Sequence, residues 1–368
     1  MALGKVSVNN LNQAQGSTPA IERKALFIGE GATGVGELLS LNSQSDIDTL
    51  LGATSSEIRD NVLAAQQNGG ENWQAWAAPQ TAGYDWLDVV DSAMETISPE
   101  LIVLCTPATA ASELTDMQTK AESLRTSLAR RVIILTATPG IDSGTETWSA
   151  YEAAQAAITD SVAAYRVAAV PQLHGNNLGV LAGRLCTDAV SIADSPMRVA
   201  TGAVLGLGDA PVDNNGTTLS SATLATLDAA RLSVPQTYPD YPGTYWGDCN
   251  LLDAPGGDYQ VIEHLRVVDK AARAVRLLAI ARVANRSLNS TPVSIAANKT
   301  FFMRPLREMS YSTVFAGEHF PGEIKAPNDD SIAIVWPNKT SAEVYLKVQP
   351  YNAPKEITAN IILDLSNG

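Results

Sequence analysis

Glycines directly after the first apolar segment form the stretch that most resembles a chemical motif. Gly29, Gly31 and Gly34 have the G-x-G-x-x-G spacing and follow the apolar run of ALFIGEG. In dinucleotide-binding proteins such glycines let a pyrophosphate approach the backbone where a helix begins. Here Gly36 follows closely, GELLSLNS is a poor first helix, and no lysine stands where a phosphate loop needs one. We therefore favour a plain loop and keep a nucleotide-dependent α/β enzyme as the alternative.

No pairing of a nucleophile with a base stands out elsewhere. TPGIDSG and LHGNNLG place serine, aspartate and histidine near glycines, but neither is a G-x-S-x-G elbow, and no H-E-x-x-H occurs. We interpret carboxylates such as Glu95, Glu100 and Asp116 as solvated surface charges. The histidines and cysteines are scattered, which predicts buried thiols and neither a zinc site nor a disulfide framework: His174, His264, His319, Cys105, Cys186 and Cys249. We expect no enzyme activity, no cofactor and no metal.

Charge and hydropathy exclude two classes of partner. The chain has 368 residues, a formal net charge of -14 and 45% hydrophobic residues. An acidic balance argues against direct nucleic-acid binding, because phosphate binding needs a dominant basic surface. No apolar run approaches the roughly 20 residues that span a bilayer, so we expect no membrane insertion. The first residues lack the apolar core of a secretory signal, which predicts a protein made and kept in a cytoplasm.

The first half of the chain alternates strands and helices. Apolar strand patterns occur in ALFIGEG, NWQAWAAP, LIVLCTP, RVIILTATP and RVAAVPQL. Helical patterns cover residues 55–67, 86–97 and 112–128 and the segment WSAYEAAQAAITDSVAAY. Short continuous apolar runs at 101–105 and 132–136 are typical of buried parallel strands. We predict an alternating α/β layer over residues 21–200, in a chain that is α+β overall.

One long helical pattern dominates the second half, over residues 259–286, with no glycine or proline inside it. Its apolar residues recur at three- and four-residue steps and predict a buried stripe: Ile262, Leu265, Val268, Ala272, Val275 and Ala279. A basic ridge follows the same spacing on another face: Arg266, Lys270, Arg273 and Arg276. Such a ridge suggests contact with an acidic surface, within the subunit or on a partner, while a solvated charged face stays open as an interpretation.

The remaining elements are shorter. Ser290 and Thr291 offer an N-cap and Pro292 suits a first helical position, so VSIAANKTFFM is a candidate helix that Pro305 should end or kink. SIAIVWP and SAEVYLKVQPY follow as strands. The first 20 residues are polar apart from Val6 and Val8. In the last segment an apolar alternation predicts a strand that pairs within its own sheet or with the sheet edge of a neighbour: Ile357, Ala359, Ile361 and Leu363.

The order of these parts resembles the tail sheath proteins of contractile bacteriophages, in particular the short sheath of Mu-like phages. The segments that carry the resemblance are VSVNNLNQAQGSTPAIERKALFIGEG, SDIDTLLG, IRDNVLAAQQNGG, WQAWAAP, YPGTYWGDCNLL, the long helix, FFMRPLREM and the strand-forming C-terminus. It covers most of the chain, although residues 197–220 have no clear counterpart.

The resemblance implies a structural protein of the virion tail, assembled in the host cytoplasm. Sheath subunits form stacked hexameric rings around a tail tube, and their terminal arms add strands to the sheets of neighbours. Contraction drives the tube through the host envelope, and baseplate and tail terminator proteins are further partners. The implied domains are an N-terminal arm (1–20), an outer α/β domain (21–200), a sheath core domain (201–353) and a C-terminal arm strand (354–368). The basic ridge then becomes a candidate tube contact. Another virion tail component is a further alternative.

Overall fold

The fold was analysed in a computed structural model that describes residues 20–208, 210–315 and 317–359. Its largest element is a six-stranded sheet in the first half of the chain. The strands are β1 (Lys24–Glu30), β2 (Leu39–Asn42), β3 (Gln74–Gln80), β4 (Leu101–Leu104), β5 (Ile133–Thr138) and β6 (Val167–Pro171). They lie in the order β2-β3-β1-β4-β5-β6, in which β2 runs antiparallel to β3 and the other pairs are parallel. The predicted α/β class is confirmed.

Helices cover both faces of this sheet. They are α1 (Ile47–Leu51), α2 (Glu57–Gly69), α3 (Trp86–Met94), α4 (Ala111–Ser127), α5 (Trp148–Thr159) and α6 (Asn177–Cys186). Successive strand residues point to opposite faces, so Phe27 packs with α1, α2 and α6, whereas Leu26 and Ile28 pack with α3, α4 and α5. Burial on both faces explains why these strands have continuous apolar sequences.

The sequence patterns did not reveal helix α6. Gly179 and Gly183 lower its intrinsic helix propensity. A Cβ added to Gly179 would lie 2.0 Å from the Asn61 carbonyl oxygen, and one at Gly183 would lie 2.4 Å from that of Ala65. The two glycines therefore serve the close approach of α6 to α2, which is a tertiary requirement.

The region that connects the two halves of the chain packs against the same α/β layer. It contains α7 (Ser221–Ala229) and a hairpin of β7 (Pro235–Tyr238) and β8 (Tyr241–Trp246). Leu227 and Leu252 are buried against one face of the layer, and Trp246 and Leu265 against the other. Residues past 200 thus pack on the α/β layer, and the domain boundaries stay a prediction.

Besides the two hydrophobic cores on the two faces of the six-stranded sheet, a third core forms in the last part of the chain. It is built from α8 (Ile262–Ile280), α9 (Pro292–Met309) and the hairpins β9–β10 (Thr313–Phe315, Glu318–Phe320) and β11–β12 (Ile332–Asn338, Ser341–Leu346). The predicted cap of α9 is confirmed, since Thr291 accepts a hydrogen bond from the Ser294 amide. The helix continues past Pro305, so of the two predicted effects, an end or a kink, an end there is wrong. Burial of Phe302 and Leu306 on the same face stabilises the last turns. Across the parts of the chain that are described, no helix combines the length and apolarity of a membrane span.

Candidate subunit interface

Helix α8 lies between two cores, which changes the expected pattern of its faces. Ile262 and Leu265 pack on the α/β layer, whereas Val267, Ala271 and Val275 pack in the third core. The predicted stripe holds at Val275, but Val267 and Ala271 are buried in place of Val268 and Ala272. Because both sides are covered, charged residues of α8 are buried as well, and each has to find a partner.

Arg266 is inside the subunit. Its guanidinium donates to both carboxylate oxygens of Glu100 at 2.7 and 2.8 Å, and to the Leu185 carbonyl at 3.0 Å. Each side chain of the pair is 3% exposed. Glu100, which stands directly before β4, also accepts the Arg23 amide at 2.6 Å. The surface position assumed for Glu100 is wrong, and Arg266 has no free face for a partner.

A second buried pair joins α8 to the end of the sheet. Asp269 binds the guanidinium of Arg166, directly before β6, at 2.8 and 3.0 Å, and Arg131 contacts the same carboxylate at 3.1 Å. Arg166 and Asp269 are 2% and 3% exposed. Because breaking such a pair leaves an uncompensated buried charge, the two pairs fix how α8 sits on the layer.

The other members of the basic ridge differ in exposure. Lys270 binds Glu323 at 2.6 Å, and Arg273 forms an ion pair with Glu22. Burial raises the pKa of Glu22, but the charge and hydrogen bond of Arg273, a backbone hydrogen bond and the Lys270 charge together lower it overall. Arg276 is exposed. Three members of the ridge face carboxylates of their own subunit, which is one of the alternatives that the sequence left open. Contact of Arg276 with a tube stays a prediction.

The glycine turn after β1 has no phosphate cradle among the described residues. A Cβ at Gly29 would lie 2.7 Å from that of Cys105, and one at Gly31 would lie 2.8 Å from that of Pro79. Gly34 has a positive φ of 67° and turns the chain toward β2, so the element that follows the turn is a strand and not a helix. Neighbouring side chains already fill the space that a pyrophosphate would need. The loop interpretation fits this geometry, and the cofactor interpretation does not.

The cysteine thiols are the other candidate nucleophiles. All three cysteines are free and buried, as predicted. Burial raises the pKa of the Cys186 thiol to about 12 and raises the pKa values of Cys105 and Cys249. These thiols are consequently poor nucleophiles. The described residues contain no group of three or more metal-ligating side chains.

The β11–β12 hairpin offers open strand edges. Ile332 pairs with Leu346 and Ile334 with Val344, and the described chain adds no third strand to this sheet. Its inner face packs on the third core, whereas Val335 is 46% exposed on the outer face. A two-stranded hairpin is marginal by itself, and its unpaired edges are templates for a further strand.

A groove runs along one side of this hairpin, between β12 and the turn that follows α8. It has a volume of about 630 Å³, and its lining includes Arg282, Trp336 and Ser341. The buried Nε of Arg282 and Nε1 of Trp336 have no hydrogen-bond partner among the described residues. Unpaired buried donors favour an incoming acceptor, such as the carbonyls of an extended chain.

The predicted arm strands are only partly within the described residues. Ile357 is 80% exposed, and both it and Ala359 lie in an extended segment without strand pairing. Val6, Val8, Ile361 and Leu363 lie outside the described residues. Their role in contacts between subunits stays a prediction.

Solved structures with this fold are tail sheath proteins and a related baseplate chain. A chain of the anti-feeding prophage baseplate matches with a TM-score of 0.58 at 13% identity, over 98% of this chain and 100% of that one. A sheath tail protein from Listeria innocua matches with a TM-score of 0.56 at 9% identity, over 91% and 93%. One from Desulfitobacterium hafniense gives 0.50 at 10% identity, over 94% and 100%. The fold is that of the tail sheath proteins.

Sequence comparison defines the family. Residues 3–250 match the DUF2586 N-terminal domain and residues 258–366 match the DUF2586 C-terminal domain. A protein of Haemophilus phage HP1 (strain HP1c1), named "Putative tail sheath protein", is 46% identical over 98% of both chains. The chain belongs to the DUF2586 family and is a phage tail sheath protein, as the resemblance predicted.

The sequence analysis missed the buried ion pairs of α8, which involve the carboxylates of Glu100 and Asp269. Glu100 is flanked by a buried strand, and Asp269 lies within the basic face of α8, three residues from Arg266. An acidic residue next to a fully apolar strand was the signal in the sequence. It does not identify a partner more than 100 residues away along the chain.

Proposed function

We propose that this chain polymerises as stacked hexameric rings around a tail tube and contracts to drive the tube through a host envelope. The observation that carries the proposal is the β11–β12 hairpin with open edges, from which the chain continues into an exposed C-terminal segment. Strands donated by the arms of neighbouring copies would complete this sheet. Such a lattice keeps subunits connected while they rotate as rigid bodies.

The proposal includes no enzyme activity. A metastable polymer that relaxes to a better-packed state needs no nucleotide. The filled glycine turn supports this part. Titration with ATP or NAD at millimolar concentration should leave the unfolding temperature unchanged, and binding at the turn would favour the enzyme alternative.

The proposed partners are other copies of the chain, a tail tube, and baseplate and terminator proteins at the two ends of a virion tail assembled in the host cytoplasm. Arg276 is the proposed tube contact, because it is the exposed member of the basic ridge. A tube with an acidic outer surface would attract it. Lys270 and Arg273 could contact the tube only if their ion pairs with Glu323 and Glu22 were broken.

Negative-stain electron microscopy tests the arm model directly. Full-length protein should form tubes, and a chain lacking residues 356–368 should stay monomeric and folded. Ile357→Asp places a charge on the apolar side of the predicted strand and should also block polymers. Thr358→Asp, on the polar side, is the matched control and should polymerise. Tubes of normal length from the truncated chain would contradict the arm model, and single rings or discs would favour another tail component.

A further inference from the structure

The C-terminal segment is attached to its own subunit through Lys355. The Lys355 ammonium lies 2.8 Å from Glu263 Oε1 and also pairs with Asp248. Glu263 and Asp248 are 6% and 11% exposed, so the lysine reaches a largely buried carboxylate pair. Burial first and the Asp248 charge second raise the pKa of Glu263, and Lys355 opposes both. The pair therefore has a strong requirement for a cation at this position.

The surrounding segment has few other attachments. Just before it, the Lys325 amide donates to the Gln349 carbonyl at 2.8 Å. Residues 351–359 are exposed, although the Lys355 side chain reaches inward. Within the described ranges, no backbone hydrogen bond involves residues 351–359. One side chain thus fixes the path of the segment.

The carboxylate pair attaches the C-terminal segment to a part of the subunit outside the β11–β12 hairpin. Asp248 follows strand β8 beside the α/β layer, and Glu263 lies in the first turn of α8. The segment leaves from the β11–β12 hairpin and crosses back to the start of α8. From residue 356 to residue 359, where the described chain stops, no ion pair joins the segment to the subunit.

We propose that Lys355 with Asp248 and Glu263 forms a releasable hook that sets where the C-terminal arm begins and how far it reaches. This rests on the proposed sheath function. With the hook closed, residues 356–368 span at most about 45 Å; with it open, residues 351–368 span about 60 Å. Opening therefore adds about 15 Å of tether. The hook holds neighbouring subunits at the closer spacing and opens when contraction moves them apart.

The first test measures the hook in single subunits, independently of assembly. The native thiols are buried, so spin labels can be placed selectively on Ile357→Cys and Thr226→Cys, two exposed positions. The distance distribution between labels should be narrow in the parent and at least twice as wide in Lys355→Met. Lys347→Met removes an exposed lysine just before the segment and should leave it narrow. Lys355→Arg keeps the charge and should also stay narrow, which separates the hook from a folding defect.

The second test measures how the hook affects the contraction of assembled sheaths. If the hook resists lengthening, Lys355→Met sheaths should contract at a lower urea concentration than parent or Lys347→Met sheaths. An unchanged label distribution, or an unchanged contraction threshold, overturns the proposal. If the parent chain forms no sheath at all, the sheath function fails, while the label distances still decide whether the hook exists.

Discussion

Replacing Arg266 tests whether α8 is an internal joint or a tube-binding surface. Arg266→Met removes the guanidinium and leaves the Glu100 carboxylate buried beside the Leu185 carbonyl. Loss of one partner of a buried, hydrogen-bonded pair costs about 3–5 kcal/mol. For a unit of 150–250 residues, each kcal/mol lowers the unfolding temperature by about 2–4 °C. We expect a fall of at least about 6 °C by differential scanning calorimetry.

Two variants make this result specific. Glu100→Gln on the Arg266→Met background removes the stranded charge and should recover part of the loss, because contacting residues are not additive. Arg276→Met, on the exposed part of the same helix, should change stability by no more than about 0.5 kcal/mol. If Arg266→Met unfolds within about 1 kcal/mol of the parent, Arg266 is not a joint of the fold and the packing argument for α8 is wrong.

Three further predictions concern Gly29, Arg276 and Glu57. Gly29→Ala should lower stability by about 1–3 kcal/mol in urea unfolding, because the new methyl meets Cys105; unchanged stability would mean that the turn has room. Arg276→Glu should weaken co-sedimentation with purified tail tubes and leave subunit stability intact, whereas unchanged co-sedimentation would remove Arg276 as the contact. Burial raises the pKa of Glu57, so its stabilising contribution is present below the ordinary pKa and is lost as pH rises through the raised value. Glu57→Gln should therefore raise the unfolding temperature at pH 7 and not at pH 4, and an equal gain at both would contradict this.

The spacing of apolar residues predicted helices that are buried on one face and strands that are buried on both faces. Strand β4 and helix α4 were predicted because each sequence repeats one local rule, a continuous apolar run or a helical spacing. For α8 the same rule predicted the helix and the burial of Ile262, Leu265 and Val275. It did not predict the buried charged residues, because a helix covered on two sides buries charged residues along with apolar ones. Helix α6 was missed because Gly179 and Gly183 satisfy a contact with α2 that local propensity does not describe.

Contact of the C-terminal segment with a neighbouring subunit stays a prediction. Alternation at Ile357 and Ala359 predicts a strand from the amino-acid sequence, and the family resemblance implies that this strand is an arm. The sequence does not indicate that Lys355, between them and the hairpin, pairs with Asp248 and Glu263. Ion pairs that join distant segments depend on the tertiary fold, so composition shows the charges and not their partners.

Burial of every cysteine bears on how any assembly of this chain would withstand oxidation during storage. Each copy carries three thiols, and air or peroxide would oxidise those that solvent reaches as thiolates. With raised pKa values and no exposure, they should neither crosslink adjacent copies nor acquire sulfenic acids. If the proposed sheath forms, thiol oxidation should accordingly not prevent its contraction after long storage without added reductant.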